Sequence, residues 1–410
     1  MRAYPVGGLG KDHLGPSACE PIAFSLSNPA MTETLAMGRE GTGELFVRDL
    51  WYMTALSASL KRGAMRREML LGEPVLLGRE RDGTVFAMRD ICPHRGAPLS
   101  AGRILANGAV QCPYHGWEFG KDGVCSLIPS LVEGQDMDCS RIKVRSYPVK
   151  EQDGLIWVYV AARPGAVPKN EPPKIPSTDS GSIDQENSGA SAETPRRNFP
   201  SGRATQQKIR WHETQLFRCS IDHAVIGLMD PAHAAYVHDH WWWKRKPRVK
   251  EKHYAPLPTG FVMTAHKPSK PAYSLLGEVT TEITFELPST RFETLRGRLF
   301  GRTFKIVGLT VCTPRDAENT DIIQVFYFPW WLGFILPLFW LLGPTFIGDD
   351  RKIVELQREG LKFNPNLMLI QDGDQPAIWY HRVKKAWLES TEKGTEFVNP
   401  VQERVLRWKS

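Results

Sequence analysis

Cys92-Pro93-His94-Arg95-Gly96 and Cys112-Pro113-Tyr114-His115-Gly116-Trp117 decide how this chain is read. Each stretch pairs a cysteine with a histidine and closes on a glycine. Two thiolates and two imidazoles are the ligands of a [2Fe–2S] cluster in which histidines replace cysteines on one iron and raise its potential. Cys92 and Cys112 would take the inner iron, and His94 and His115 the outer one. Gly96 and Gly116 let the backbone turn closely around a bulky cluster, and Pro93 and Pro113 fix φ within each loop. The competing reading is a structural zinc site of two Cys and two His. Zinc knuckles usually space their paired ligands by two residues or more, and the single residue between Cys92 and His94 fits them poorly.

The match extends through Asp90-Ile-Cys-Pro-His-Arg-Gly-Ala-Pro-Leu99 and Cys112-Pro-Tyr-His-Gly-Trp-Glu-Phe119. These residues resemble the Rieske domain of the Rieske non-haem iron oxygenases. Respiratory-chain relatives carry an additional cysteine in each loop for a bridging disulfide. Ala97 and Tyr114 stand in those places here, which favours the oxygenase branch.

Around this motif the chain has 410 residues, 41% of them hydrophobic, enough for two or three domains with sizeable cores. Cys19, Cys125, Cys139, Cys219 and Cys312 have no framework spacing, so a reducing, cytoplasmic setting is expected. The first thirty residues contain no unbroken apolar run, and no secretory signal is visible. The net charge of +7 suits an acidic redox partner or an anionic lipid surface. No nucleic-acid fold signature accompanies it, so nucleic acid is not an expected partner.

Residues 1–43 read as an extended arm. Residues 44–162 read as a small all-β Rieske domain of short strands, with turns at Arg81-Asp82-Gly83, Lys121-Asp122-Gly123 and Gln152-Asp153-Gly154. Residues 163–205, rich in Pro, Ser, Asn and Glu, read as a linker or insertion. Residues 206–410 would form the catalytic domain. Its expected layout is α+β, a helix-grip (START-like) arrangement with an antiparallel sheet around a C-terminal helix. Residues 211–239 read mainly as helix, and residues 351–389 as the C-terminal helix.

A cluster moves electrons and needs an acceptor. Asp230-Pro-Ala-His233-Ala-Ala-Tyr-Val-His238 offers one, since two histidines and a carboxylate on one face of Fe(II) leave positions open for O₂. On a regular helix His233 and His238 would point roughly 140° apart, so the helix must end, kink or bulge between them. The Asp-x2-His-x4-His spacing is similar to the iron site of the same family. The resemblance implies that His233 and His238 are ligands. It also implies that Asp230 is a bridge to a Rieske histidine of a neighbouring subunit in a homotrimer. Many family members carry an asparagine three residues before that aspartate, where this chain has Gly227. The third ligand is expected on the C-terminal helix. Family aspartates there commonly follow an acidic or amide residue after an apolar run, which points to Asp372 after Gln371, with Asp374 as its rival.

Residues 325–348 carry no charge and include Trp330, Trp331, Phe334 and Trp340. Pro329, Pro337 and Pro344 interrupt them, so an interfacial or re-entrant hairpin is expected rather than a span; a buried wall or subunit contact is the alternative. Trp241-Trp-Trp243, followed by Lys244, Arg245, Lys246, Arg248, Lys250 and Lys252, suits either a lipid headgroup zone or an acidic ferredoxin.

The resemblance implies a catalytic subunit holding a Rieske [2Fe–2S] cluster and mononuclear Fe(II). Electrons would come from NAD(P)H through a separate reductase, often by way of a ferredoxin. No dinucleotide-binding glycine turn is evident in the chain. The apolar segment points to a bulky hydrophobic substrate such as a sterol, steroid or polycyclic compound, hydroxylated or oxidatively demethylated, and to peripheral contact with the inner membrane. Three alternatives stay open: ring dihydroxylation of an arene, a cluster-only electron carrier and a zinc-bound membrane module.

Overall fold

The computed structural model describes residues 32–33, 46–135, 137–178, 207–238, 247–268, 276–363 and 365–410. Most of the N-terminal arm, most of the 163–205 segment and the Trp241–Lys246 run lie outside these residues. Thr32–Glu33 of the arm pairs antiparallel with Leu369–Ile370.

Short strands dominate residues 50–160, as their alternating apolar residues and glycine turns require. Leu50–Leu56, Leu155–Val160 and Val149–Gln152 form one sheet, and Met65–Leu70, Glu73–Arg79, Val85–Arg89 and Ser146–Tyr147 form a second. The third is a miniature sheet of Arg103–Ile104, Val110–Gln111, Glu118–Phe119 and Cys125–Leu127. Leu76, Phe86, Met88, Val110 and Phe119 make a small core with Cys92 and Cys112, so both cysteine loops stand on a packed base.

The remaining described residues build an eight-stranded antiparallel sheet and three α-helices. In chain order these are β1 (Trp211–Phe217), α1 (Ile221–Met229), β2 (Val249–Leu257), β3 (Gly260–His266), β4 (Val279–Glu286), β5 (Thr290–Leu299), β6 (Arg302–Pro314), β7 (Thr320–Tyr327), α2 (Leu336–Leu361), α3 (Gln375–Lys393) and β8 (Arg404–Lys409). The spatial order of the sheet is β1-β7-β6-β5-β4-β3-β2-β8. With the first three sheets this is the expected α+β architecture.

Strand β6 is covered on both faces, and its residues separate by parity. Val307, Leu309 and Val311 face the first sheet, sharing a core with Trp51, Met53, Trp157 and Tyr159. Phe304, Ile306 and Cys312 face the helices. Thr313 Oγ1 donates to the Met53 carbonyl at 2.6 Å, and Tyr327 Oη donates to the Asp153 carbonyl at 2.9 Å. Each fully buried aliphatic side chain in the shared core, such as Val307 or Leu309, contributes about 1.5–3 kcal/mol. The cluster-bearing half and the large sheet therefore hold together as one packed body. On the opposite face α3 presses Trp379 and Tyr380 against Tyr254, Phe261 and Phe285, with ring centroids 5.4–5.7 Å apart. This is the gripped helix.

Three expectations need correction. Trp211–Phe217 is an edge strand rather than helix: Trp211 and Phe217 are buried at its ends, and it pairs along its length with β7. The C-terminal helical stretch is two helices, α2 and α3, separated by residues 362–374. Pro376 falls in the first turn of α3, where its missing N–H costs no bond. The apolar residues do not form a hairpin. A 3₁₀ turn, Trp330–Ile335, runs directly into α2, with Pro337 near its start and Pro344 inside it. Gly343 explains how α2 comes so close to the sheet, because a Cβ there would lie 2.4 Å from the Trp211 ring.

Candidate functional site

The two cysteine loops are built alike. Cys92 N donates to the Ala97 carbonyl and Gly96 N to the Cys92 carbonyl, while Cys112 N donates to the Trp117 carbonyl and Gly116 N to the Cys112 carbonyl. Gly96 and Gly116 have φ of 74° and 70°, a left-handed conformation that side-chain-bearing residues rarely adopt. Asp90, 1% exposed, accepts from Ser100 N at 2.7 Å and Ser100 Oγ at 2.6 Å, buckling the first loop shut. Both cysteines are buried, and the His94 and His115 rings lie 4.6 Å apart nearer the surface. Trp117 stacks on His94 at 4.8 Å and 6°. Burial foremost pushes the Cys92 thiol up, while the His94 and Arg95 backbone N–H groups pull it down. Backbone N–H groups that favour the thiolate suit a cluster ligand. Two buried sulfurs beneath two adjacent, outward imidazoles fit a [2Fe–2S] cluster with mixed ligands.

The second group begins where α1 ends. Ser220 caps its N-terminus, accepting from His223 N, and Asp222 occupies the first turn. Asp230 precedes Pro231, which disfavours helical ψ, and the helix stops there with Asp230 at ψ 116°. Asp230 Oδ1 accepts from Ala232 N at 2.6 Å and His233 N at 3.3 Å, starting a one-turn 3₁₀ helix, His233–Ala235. The chain thus leaves the α-helix before either histidine. His233 and His238 face each other with ring centroids 5.4 Å apart.

The carboxylate that meets them is Asp350 of α2. His233, His238 and Asp350 each offer one ligand atom, and these atoms lie within 4.8 Å of one another; no other such group of three occurs among the described residues. Asp350 Oδ1 is 3.6 Å from His233 Nε2 and 3.4 Å from His238 Nε2. Phe346, one turn earlier on the same helix face, stacks on His238 at 3.7 Å. Two imidazoles and one carboxylate converging from separate elements fit a facial metal triad.

Asp372 is a misplaced expectation. It sits at φ 63°, its Oδ1 accepts from Arg404 Nη2 at 2.9 Å, and its Oδ2 accepts from Arg407 N at 3.1 Å. It pins the α3 approach to β8 and does not join the histidines. Asp374 accepts from Ile370 N at 2.8 Å and stands at the N-cap of α3, its carboxyl raised first of all by burial. The sequence signal for Asp350 was present: it follows an acidic residue, Asp349, directly after the apolar run.

A family profile for the Rieske [2Fe–2S] domain matches residues 50–148. The oxygenase component of dicamba O-demethylase from Stenotrophomonas maltophilia is 46% identical over 127 residues, 30% of this chain and 36% of that protein. The 4beta-methylsterol monooxygenase of Methylococcus capsulatus is 35% identical over 131 residues, 32% of this chain and 35% of that protein. These matches span about a third of each relative's length. The likeness in structure is broader. The crystal structure of dicamba monooxygenase bound to dicamba superposes with a TM-score of 0.62 at 24% identity, over 85% of this chain and 99% of that one. At that identity the likeness establishes the fold, which extends across both the cluster loops and the helix-grip sheet.

Proposed function

We propose that this chain is a Rieske non-haem iron oxygenase, a catalytic subunit that uses O₂ to hydroxylate, or oxidatively demethylate, a bulky hydrophobic substrate. The convergence of His233, His238 and Asp350 on one point, in a chain that also carries the cysteine–histidine loops, is the observation behind this reading. In it, Cys92, His94, Cys112 and His115 hold the cluster, and His233, His238 and Asp350 hold Fe(II). When bound, the cluster supplies single electrons and the Fe(II) supplies the open positions for O₂.

The chain's own residues would do the following. Cys92 and Cys112 bury one side of the cluster and leave His94 and His115 facing outward, where a neighbouring chain can be reached. Asp230, its side chain 30% exposed and 3.6 Å from His233 Nδ1, would accept a hydrogen bond from that ring and another from a histidine across a subunit boundary. A head-to-tail contact of this kind closes into a ring of chains, and the family resemblance supports a homotrimer. Phe346 stacks on His238 and would keep water from that face of the ring. Electrons would arrive from a separate NAD(P)H reductase or ferredoxin, and the "oxygenase component" wording of the dicamba relative supports a multi-component system.

Two relatives act, by name, on methyl-bearing compounds, an O-demethylase and a methylsterol monooxygenase, which supports a methyl group on a ring system as the target. Peripheral contact with the inner membrane from the cytoplasmic side belongs to the same reading. Residues Trp330–Leu361 are long and apolar enough to cross a bilayer, and only 11% of their apolar window is buried. The same helix carries Asp350 and packs on β1, so it would lie against a membrane rather than through one.

The test is reoxidation of the dithionite-reduced protein by ¹⁸O₂ across a panel of 4-methylsterols, steroids and methoxyarenes. Faster reoxidation with one class is expected, with one ¹⁸O atom per turnover either kept in a hydroxylated product or released with the methyl carbon as formaldehyde. Equal reoxidation rates with every compound and no labelled product would mean an electron carrier.

A further inference from the structure

The two histidines of the metal group are arranged alike, and the likeness assigns a role to a residue so far unexplained. His233 turns Nε2 toward Asp350 Oδ1 at 3.6 Å and Nδ1 toward Asp230 Oδ2 at 3.6 Å. His238 turns Nε2 toward the same Asp350 oxygen at 3.4 Å and Nδ1 toward Asp349 Oδ2 at 3.7 Å. Each ring thus has one nitrogen at the convergence point and the other facing its own carboxylate. A histidine that ligates through Nε2 must carry its proton on Nδ1, and a carboxylate behind Nδ1 fixes that tautomer, aligns the ring and strengthens the donor.

We infer that Asp349 is the positioning residue for His238, the counterpart of Asp230 behind His233; this rests on the proposed iron site. The two carboxylates differ in setting. The Asp230 side chain is 30% exposed beside a surface turn, whereas that of Asp349 is 13% exposed, on the inner face of α2. Lys352 Nζ, one turn further along α2, lies 3.3 Å from Asp349 Oδ1, while Oδ2 is the oxygen 3.7 Å from the ring. Phe346, Asp349 and Asp350 occupy i, i+3 and i+4 of one helix, so a single face of α2 supplies the stacking ring, the orienting carboxylate and the ligand. Asp349 serves its own chain's metal site. Asp230 is the carboxylate left accessible to a neighbour.

The experiment uses the full chain with its cluster in place and Fe(II), then Co(II), as probes. Affinities are measured for wild type, Asp349→Ala, Asp349→Asn, Asp349→Glu and Asp350→Ala. Asp349→Ala should weaken Fe(II) binding roughly 10–100-fold and shift the Co(II) ligand-field bands, with cluster absorbance unchanged. Asp349→Asn should lose less, because its amide oxygen still accepts, and Asp349→Glu should restore part of the affinity. If the alanine variant fails to retain its cluster, the near-isosteric asparagine variant carries the test. Wild-type affinity and bands in Asp349→Ala, alongside a lost site in Asp350→Ala, would overturn the inference alone. Undiminished binding in Asp350→Ala would overturn the iron assignment and the inference with it.

Discussion

His223 on α1, His381 on α3 and His266 on β3 are all pushed below the usual imidazole range, in each case first by burial. Asp222 opposes the shift at His223 and His381, and Lys384 adds to it at His381, without reversing the direction. Asp222 itself accepts from Tyr380 Oη at 2.6 Å and from Lys384 Nζ at 2.7 Å, so its charge is already shared. The consequence has a definite sign. Unfolded imidazoles take up protons as pH falls through about 6.5. The folded protein resists that uptake, so its stability is full above this pH and declines below it. The melting temperature should be flat above neutrality and fall between roughly pH 6.5 and 5. His381→Leu should flatten part of the slope. A melting temperature that rises with acidification over that range would contradict the burial argument.

Helix α2 joins features that the sequence keeps apart. Its early residues and the preceding 3₁₀ turn expose Trp330 (76%), Phe334 (58%), Trp340 (67%) and Leu341 (72%). Phe300, at the β5–β6 turn with φ 50°, is 81% exposed and lies 6.4 Å from the Phe334 ring, so two elements contribute to one apolar patch. Arg298 and Arg302 flank Phe300 and are exposed. Such a patch suits an anionic bilayer surface. The protein should cosediment with phosphatidylglycerol-containing vesicles, and Trp340→Ser with Leu341→Ser should release it. Equal sedimentation of both proteins would remove this face as the contact. The cluster loops were legible from sequence because their chemistry lies in short contiguous motifs. Asp350 was harder to find because an uncharged run, read as an insert, hides the start of its helix. Asp349-Asp350 looks like the end of that insert when it is the middle of α2. The same limit misread Trp211–Phe217: an edge strand with polar residues between its buried ends has no clean period, and only pairing with β7 determines its form.

At the scale of the molecule, a core shared by Trp51, Trp157, Leu309 and Val311 fixes the cluster-bearing half to the back of the sheet whose other face serves the helices. The cluster loops lie at the edge of one half, and the His233–His238–Asp350 group lies between α1 and α2 in the other. The central claim is that one chain holds both metal sites and that Asp350 completes the second. It is tested most directly by counting iron per chain in anaerobically reconstituted wild type, Asp350→Ala and Asp372→Ala, with the visible spectrum recorded for each. The prediction is three irons in wild type and in Asp372→Ala, and two in Asp350→Ala, with the cluster absorbance the same in all three. Three irons in Asp350→Ala with two in Asp372→Ala would contradict it.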